Sequence, residues 1–154
     1  MRAAIEFAKD YFEKKNMKQL KIAEIGVFEG DNAREMRMAL NPERMYLIDI
    51  KDNFYRGEFT KPPYIFIRKY SQVAALDVPL DLDLVYIDGA HDEYNVLTDI
   101  VCWYPKIKGE GIICGHDYGT TWSGVEKAVK KMFTDFYSFK DVDWWLVKER
   151  TQRW

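Results

Sequence analysis

The chain has few of the features that mark an exported or membrane-bound protein. Only two cysteines occur in 154 residues, Cys102 and Cys114, and neither belongs to a CxxC pair, which argues against a disulfide framework and a structural zinc site. No apolar run exceeds about seven residues, far short of the ~20 that cross a bilayer. The N-terminal segment mixes acidic with basic residues and is typical of neither a signal nor a transit peptide. We therefore expect a cytoplasmic protein that does not contact a membrane.

A strong excess of charge of one sign is also missing. The 23 Lys and Arg nearly balance the 25 Asp and Glu, for a net charge of -2, so no long-range attraction to a polyphosphate exists and no nucleic-acid partner is expected. Apolar residues are abundant at 47%, with 9 Phe, 10 Tyr and 5 Trp, and these can build a folded core. The length favours a single domain over residues 1–154.

Short apolar runs alternate with amphipathic stretches along the chain. The opening segment, residues 1–18, has apolar side chains at helical spacing and predicts an N-terminal helix. Five strand–helix units follow, and two aromatic runs near the C-terminus, FYSF and DWWLVKE, predict an antiparallel hairpin. Helical crossovers cover both faces of a parallel sheet. The pattern therefore predicts an α/β fold, doubly wound and Rossmann-like, with a mostly parallel seven-stranded sheet and an antiparallel strand from the C-terminal hairpin.

Several helix boundaries are predicted from local signals. Asp31 or Asn32 is a candidate N-cap for the second helix, and Ser71 for a short helix after the third strand. A longer helix is predicted over residues 92–108. The residues expected on its inner face are Tyr94, Leu97, Ile100, Val101 and Tyr104.

Acidic residues stand at the predicted carboxyl ends of the strands, where doubly wound sheets bind ligands. In the first turn, Gly26 allows a tight bend and close approach of a ligand, and Gly30 allows the strand to pack near the next helix. The glycines are four apart, so G-x-G-x-x-G is missing, and Glu24 would repel a pyrophosphate. Asp49 ends the second strand, where a carboxylate can accept both hydroxyls of a ribose. This arrangement favours a nucleoside ligand; the alternative is that Glu24 and Asp49 only cap loops.

Longer motifs carry a family resemblance. IAEIGVFEG, LIDI, LVYIDGAHDEYNVLTDI and GEGIICGHDYGTTWSGVEKAV follow one another in this order. Together they resemble the class I S-adenosylmethionine-dependent methyltransferases, and more narrowly the small-molecule branch with I-D-G-x-H and G-H-D-Y strand ends (methyltransferase family 24). The resemblance covers about residues 21–133 and implies S-adenosylmethionine as cofactor, a small-molecule acceptor and no separate substrate domain.

The resemblance also implies roles for single residues. The implied cofactor-binding residues are Glu24, Gly26, Phe28, Gly30, Asp49, Ser71 and Asp88. Phe28 takes the place of a middle glycine, Ser71 lies by the adenine, and Asp88 lies beneath the methyl-bearing sulfonium. Lys69-Tyr70 departs from the family pattern, which often has Gly-Asp here.

A base and a metal site are predicted at the fourth and fifth strand ends. Asp88 and Asp117 follow neighbouring strands, and with His116 they would hold Mg²⁺ or another divalent cation. The chain is similar to metal-dependent catechol-type methyltransferases at the two acids, and their base position, three residues after the first acid, is His91. Imidazole suits removal of a hydroxyl proton near neutral pH, so His91 and Asp88 are the predicted catalytic residues. The alternatives are that His91 caps the helix starting at Asp92, and that His116 and Asp117 organise a loop without metal.

The predicted function is O-methylation of a small hydroxylated acceptor, a sugar or a phenol. Two alternatives remain: a non-catalytic or other S-adenosyl-binding protein, and an NAD-dependent oxidoreductase, since an acid 20–25 residues after a glycine turn also binds an NAD ribose. Aromatic residues at positions 103, 104, 144 and 145 are expected in the core and hairpin, whereas the loop of Trp122 borders the active face. The aromatic hairpin, followed by Trp154, favours a homodimer.

Overall fold

The computed structural model describes residues 1–53, 57–119, 122–140 and 142–150. Strands and helices alternate in it along the chain. The elements are α1 (Ala3–Lys14), β1 (Lys21–Ile25), α2 (Asp31–Leu40), β2 (Arg44–Asp49), β3 (Tyr64–Arg68), α3 (Ser71–Ala74), β4 (Leu82–Ile87), α4 (Glu93–Trp103), a 3-10 turn (Tyr104–Lys106), β5 (Ile107–Gly115), α5 (Ser123–Met132), β6 (Tyr137–Phe139) and β7 (Asp143–Val147). Within these described residues, no helix has the length and hydropathy of a membrane span.

The strands form one sheet of seven in the order β3-β2-β1-β4-β5-β7-β6. The first five are parallel to one another, and β7 runs antiparallel to both β5 and β6. The predicted Rossmann-like fold with an antiparallel C-terminal hairpin is therefore confirmed. The strand order reverses between β1 and β4, and in open α/β sheets ligands bind in the crevice at such a switch point.

The two faces of the sheet bury separate apolar clusters. Helices α1 and α2 cover one face, and α3, α4 and α5 cover the other. Trp103 and Trp144 are fully buried, and Tyr104 and Trp145 are nearly so, which confirms their expected place in the core and hairpin. Every residue of β4 is buried. The central strands consequently form a rigid base for the polar residues that follow them.

Helix α4 differs from its prediction in length and in orientation. It ends at Trp103 because Pro105, which has no N–H to donate, lies in a 3-10 turn and β5 begins at once. Tyr94 and Val101 were wrongly assigned to its inner face, since they are 76% and 56% exposed. The buried residues are Val96, Asp99, Ile100 and Trp103. The apolar pattern missed this face because one of its members is an aspartate.

Helix starts also differ from the predictions. The N-cap of α2 is Gly30, in a left-handed conformation, and not Asp31 or Asn32. Tyr70, and not Ser71, precedes the first turn of α3. Asp92 caps α4 by accepting a hydrogen bond from the backbone N–H of Asn95, so the alternative in which His91 is the cap is wrong.

Candidate active site

A cavity of about 850 Å³ opens at the carboxyl ends of the central strands. Every residue predicted from the sequence to bind the cofactor, hold a metal or act as a base lies on its wall, except Gly30. Residues separated by up to 93 positions, from Glu24 to Asp117, are thereby brought together. The cavity also contains residues that the sequence did not single out, among them Arg2, Asn32 and Asp99.

The turn after β1 uses left-handed backbone at every second residue. Gly26, Phe28 and Gly30 have φ angles of +85°, +50° and +83°. A Cβ on Gly26 would lie 2.2 Å from the carbonyl oxygen of Asp88, so glycine is required where the turn packs against the end of β4. Phe28 adopts the glycine-like conformation expected of a middle glycine, although this costs an L-residue ~1–2 kcal/mol.

Gly30 has a different reason for being glycine than the one predicted. A Cβ at this position would lie 2.7 Å from ring carbons of Phe59. The close neighbour is therefore an aromatic ring from the segment between β2 and β3, and not the strand that precedes the turn. This contact keeps Gly30 behind the cavity wall.

Asp49 stabilises the glycine turn from the end of β2. Its Oδ2 accepts hydrogen bonds from the backbone N–H groups of Val27 and Phe28, at 2.8 and 3.0 Å. Its Oδ1 accepts one from the N–H of Lys51, at 2.9 Å. The loop-capping role left open by the sequence therefore exists. Because a carboxylate has about four acceptor positions, Oδ1 retains capacity for a ligand hydroxyl.

Glu24 lies fully buried at the base of the cavity. The side-chain amide of Asn32 donates to its Oε1 at 3.0 Å, while Oε2 has no partner among the described residues. Burial raises the pKa of Glu24 to about 8 against the opposing hydrogen bond from Asn32, so the carboxyl is mostly protonated at neutral pH. A buried polar atom without a partner is costly, and here it provides a hydrogen-bonding position for a ligand.

Asp88 is paired with an arginine that sequence reasoning missed. Arg2 is the N-cap residue of α1, and its Nη1 lies 2.5 Å from Asp88 Oδ2 and 3.1 Å from the hydroxyl oxygen of Tyr86. Burial acts to lower the pKa of the guanidinium, but Tyr86 and Asp88 together raise it above its ordinary value. A basic residue before an amphipathic helix carries no local signal of a partner 86 positions away.

His91 and Asp117 form a pair at the opening of the cavity. His91 Nε2 lies 3.0 Å from Asp117 Oδ2, and the ring of the half-exposed Trp122 lies 4.8 Å from the imidazole ring. Asp117 has a φ of +61°, an uncommon conformation that aspartate tolerates better than most residues. A carboxylate in this position can orient an imidazole and stabilise its protonated form, which suits proton removal from a bound hydroxyl.

The proposed metal ligands fit a divalent cation in type and approximately in spacing. One ligand atom each from Asp88, His116 and Asp117 lies within 4.8 Å of the other two. Ligands on an octahedral ion with bonds of ~2.1 Å are about 3.0 Å apart when adjacent and about 4.2 Å apart when opposite, so the three side chains would move closer together to bind one. One oxygen of Asp88 is engaged by Arg2, which leaves the second for a cation. Asp117 Oδ2 lies 3.0 Å from His91 Nε2 and Oδ1 lies 3.2 Å from His116 Nδ1, so a bound cation would replace at least one of these contacts.

A hydrogen-bonded group of three residues lies at the α3 end of the cavity. The indole N–H of Trp103 donates to Ser71 Oγ at 2.7 Å, and Ser71 is also hydrogen-bonded to Asp99. Burial raises the pKa of Asp99 to about 6 against this hydrogen bond. Ser71 lines the cavity, and its place beside an adenine stays a prediction. Asp99 was missed because an aspartate in an amphipathic helix normally faces solvent.

Comparison with known proteins identifies the family of the chain. Residues 23–118 match the family described as "Methyltransferase domain" (methyltransferase family 24). The chain belongs to this family. The matched segment begins within β1, runs through β5 and includes the residues at the carboxyl ends of these strands. A search of curated protein sequences finds no significant match to the chain.

Solved structures share the fold at low sequence identity. A putative caffeoyl-CoA O-methyltransferase from Staphylococcus aureus is 13% identical with a TM-score of 0.74, over 96% of this chain and 84% of that one. The MycE methyltransferase of mycinamycin biosynthesis, in complex with Mg and SAH, is 16% identical with a TM-score of 0.72, over 96% and 50%. Spermidine synthase from Thermotoga maritima is 13% identical with a TM-score of 0.62, over 84% and 53%. The chain thus spans about half the length of MycE.

Proposed function

We propose that this methyltransferase domain uses S-adenosylmethionine to methylate a hydroxyl oxygen of a small acceptor, a sugar or a phenol. One observation carries the proposal: a glycine turn held by Asp49 and a His91–Asp117 pair lie on the wall of one cavity. The first arrangement suits a nucleoside, and the second suits removal of a hydroxyl proton. The O-methyltransferases among the structures of the same fold support this choice.

Different residues of the cavity bind different parts of the cofactor. When bound, the cofactor supplies an activated methyl group on a sulfonium. Asp49 accepts hydrogen bonds from ribose hydroxyls through Oδ1, and the Gly26 turn leaves the backbone open to a ligand. Glu24 accepts a hydrogen bond from the ammonium group of the methionine part, and loses its own proton in doing so.

His91 supplies the base for the acceptor. Bound S-adenosylmethionine would supply its methyl group to the acceptor oxygen and leave as the neutral sulfide, and His91 would take the hydroxyl proton. Asp117 holds the imidazole from the other side and stabilises the resulting positive charge. Because charge is neutralised at the sulfur, positioning and proton removal account for most of the catalysis.

A divalent cation is a further part of the proposal. Asp88, His116 and Asp117 would hold Mg²⁺ or a similar ion, as the donor set and the spacing of the ligand atoms permit. Such an ion would lower the pKa of an acceptor hydroxyl bound beside it. The magnesium present in the MycE complex supports the choice of ion.

Calorimetric titration with S-adenosylhomocysteine and with NAD tests the cofactor. We expect binding of the first and none of the second. Binding of NAD alone would replace the proposal with an oxidoreductase. Transfer of a labelled methyl group to a panel of phenols and sugars, with Mg²⁺ and with EDTA, then tests the reaction. Activity unaffected by EDTA would remove the metal, and cofactor binding without any methylated product would favour a non-catalytic role.

A further inference from the structure

Arg2 is fixed in the cavity wall by several parts of the fold. Its backbone N–H donates to Glu35 of α2 at 3.0 Å. The next turn of α1 is anchored to β7, because the N–H of Ala4 donates to the buried Asp143 at 3.1 Å. Ala4 and Ile5 are completely buried. The position of the guanidinium in the cavity is therefore a property of the packed helix and not of a loose terminus.

Only part of the donor capacity of the Arg2 guanidinium is used within the described residues. Its hydrogen bonds to Tyr86 and Asp88 both use Nη1. Among the described residues, no acceptor bonds to Nε or Nη2. A guanidinium presents five N–H donors in a planar fork that matches a carboxylate. Arg2 can therefore take a second carboxylate without giving up Asp88.

The charge of the cavity restricts where an anionic group can bind. Among the described residues on its wall, seven carboxyl side chains face three from lysine and arginine. Lys69 is held by Asp77 at 2.6 Å, and Lys51 follows Asp49 at the exposed end of β2. An anion bound anywhere else would meet like charges. Arg2 is thus the favoured partner for a negatively charged part of the ligand.

Glu24 and Arg2 together offer the two groups that recognise an amino acid. Glu24 lines the same cavity as Arg2, and its buried Oε2 lacks a partner among the described residues. A cationic fork beside an open acidic acceptor matches the carboxylate and ammonium groups carried by one α-carbon. We propose that Arg2 binds the carboxylate of the methionine part of the cofactor, while Asp88 keeps the guanidinium in place. This inference rests on the proposed function.

The test uses two ligands that differ only in the carboxylate. S-adenosylhomocysteine and its decarboxylated analogue are titrated into the wild type and Arg2→Gln by calorimetry. We expect Arg2→Gln to bind S-adenosylhomocysteine about tenfold to a hundredfold more weakly. Its affinity for the decarboxylated analogue should stay within about threefold of the wild type or increase. Arg2→Lys, which keeps a cation, should recover part of the loss.

Matched controls separate the outcomes. Arg37→Gln, on the outer part of α2 and away from the cavity, should bind both ligands like the wild type. An equal loss of affinity for both ligands in Arg2→Gln would overturn the proposal, because Arg2 would then only maintain the structure of the site. An unchanged affinity of this variant for S-adenosylhomocysteine would also overturn it. Thermal melting identifies a variant that does not fold. If Arg2→Gln does not fold, the affinities of the wild type and of Arg2→Lys for the two ligands decide the test. If the wild type binds neither ligand, the proposed cofactor itself is wrong.

Discussion

The two ends of the parallel sheet both carry acidic residues, but their partners differ. At the amino end, Asp83 is buried and accepts the backbone N–H of Lys21 at 2.8 Å while it pairs with Lys108. Asp81 pairs with the side chain of Lys21. At the carboxyl end, Glu24 has an oxygen without a partner among the described residues and lines a cavity of about 850 Å³.

The comparison shows that access to a cavity, and not pairing alone, distinguishes a structural acid from a candidate functional acid, since Asp49 and Asp88 are hydrogen-bonded and still line the cavity. Acidic residues form ion pairs at the amino end of the sheet, and at the carboxyl end they line a cavity that is open to a ligand. Substitutions at the amino end should therefore lower stability and spare ligand binding. Substitutions at the carboxyl end should affect the reaction or its ligands more strongly.

The largest effect is expected for His91→Ala. Loss of a general base should lower methyl transfer about a hundredfold or more, because the imidazole whose Nε2 lies 3.0 Å from Asp117 Oδ2 is then missing. Affinity for S-adenosylhomocysteine, measured by calorimetry, should change less than about threefold, since that ligand contains no acceptor hydroxyl. An undiminished rate in this variant would remove His91 from the mechanism.

A pair of glycine substitutions tests the backbone at the carboxyl end. Gly26→Ala should lower the free energy of unfolding by about 2–4 kcal/mol, because the methyl group meets Asp88 and the φ angle is left-handed. Gly89→Ala is the matched control, since its Cβ would have only ordinary contacts, the nearest at 3.5 Å. Urea unfolding measures both. Equal stability of the two variants would contradict the close packing of the β1 turn on β4.

The carboxyl of Glu24 predicts a pH dependence. Its pKa is about 8 in the folded protein, against an ordinary value near 4.5, so the folded state holds a proton that the unfolded chain releases. Its contribution to stability therefore falls as the pH rises from about 4.5 to about 8. Between pH 5.5 and 7.5 the wild type should lose about 2–3 kcal/mol more than Glu24→Gln. Asp99 titrates in both proteins and cancels from the difference; parallel curves would contradict the assignment.

The smallest effect is expected at the amino end. Asp83→Asn weakens an ion pair whose lysine side chain is 43% exposed, so screening by solvent limits the loss of stability to about 1 kcal/mol. Urea unfolding gives this value, and calorimetry should give an unchanged affinity for S-adenosylhomocysteine. Weaker ligand binding in this variant would mean that the two ends of the sheet are coupled.

The sequence predicted what depends on local pattern. Alternating apolar strands and helices indicated the sheet, and because parallel strands end at one edge, Asp49, Asp88 and Asp117 were correctly expected together. The inward face of α4 and the contact between Gly30 and Phe59 could not be predicted, since they depend on how distant elements pack. Arg2 was missed for the same reason. The depth of Glu24, which determines its pKa, is likewise a product of the assembled core.

The ion pair between Arg2 and Asp88 joins residues 86 positions apart, so the cavity acquires this part of its wall only after α1 has docked on the sheet. Contacts of such long sequence separation form at a high entropic cost and tend to appear late in folding. We therefore expect the side of the cavity formed by Arg2 to appear late in refolding.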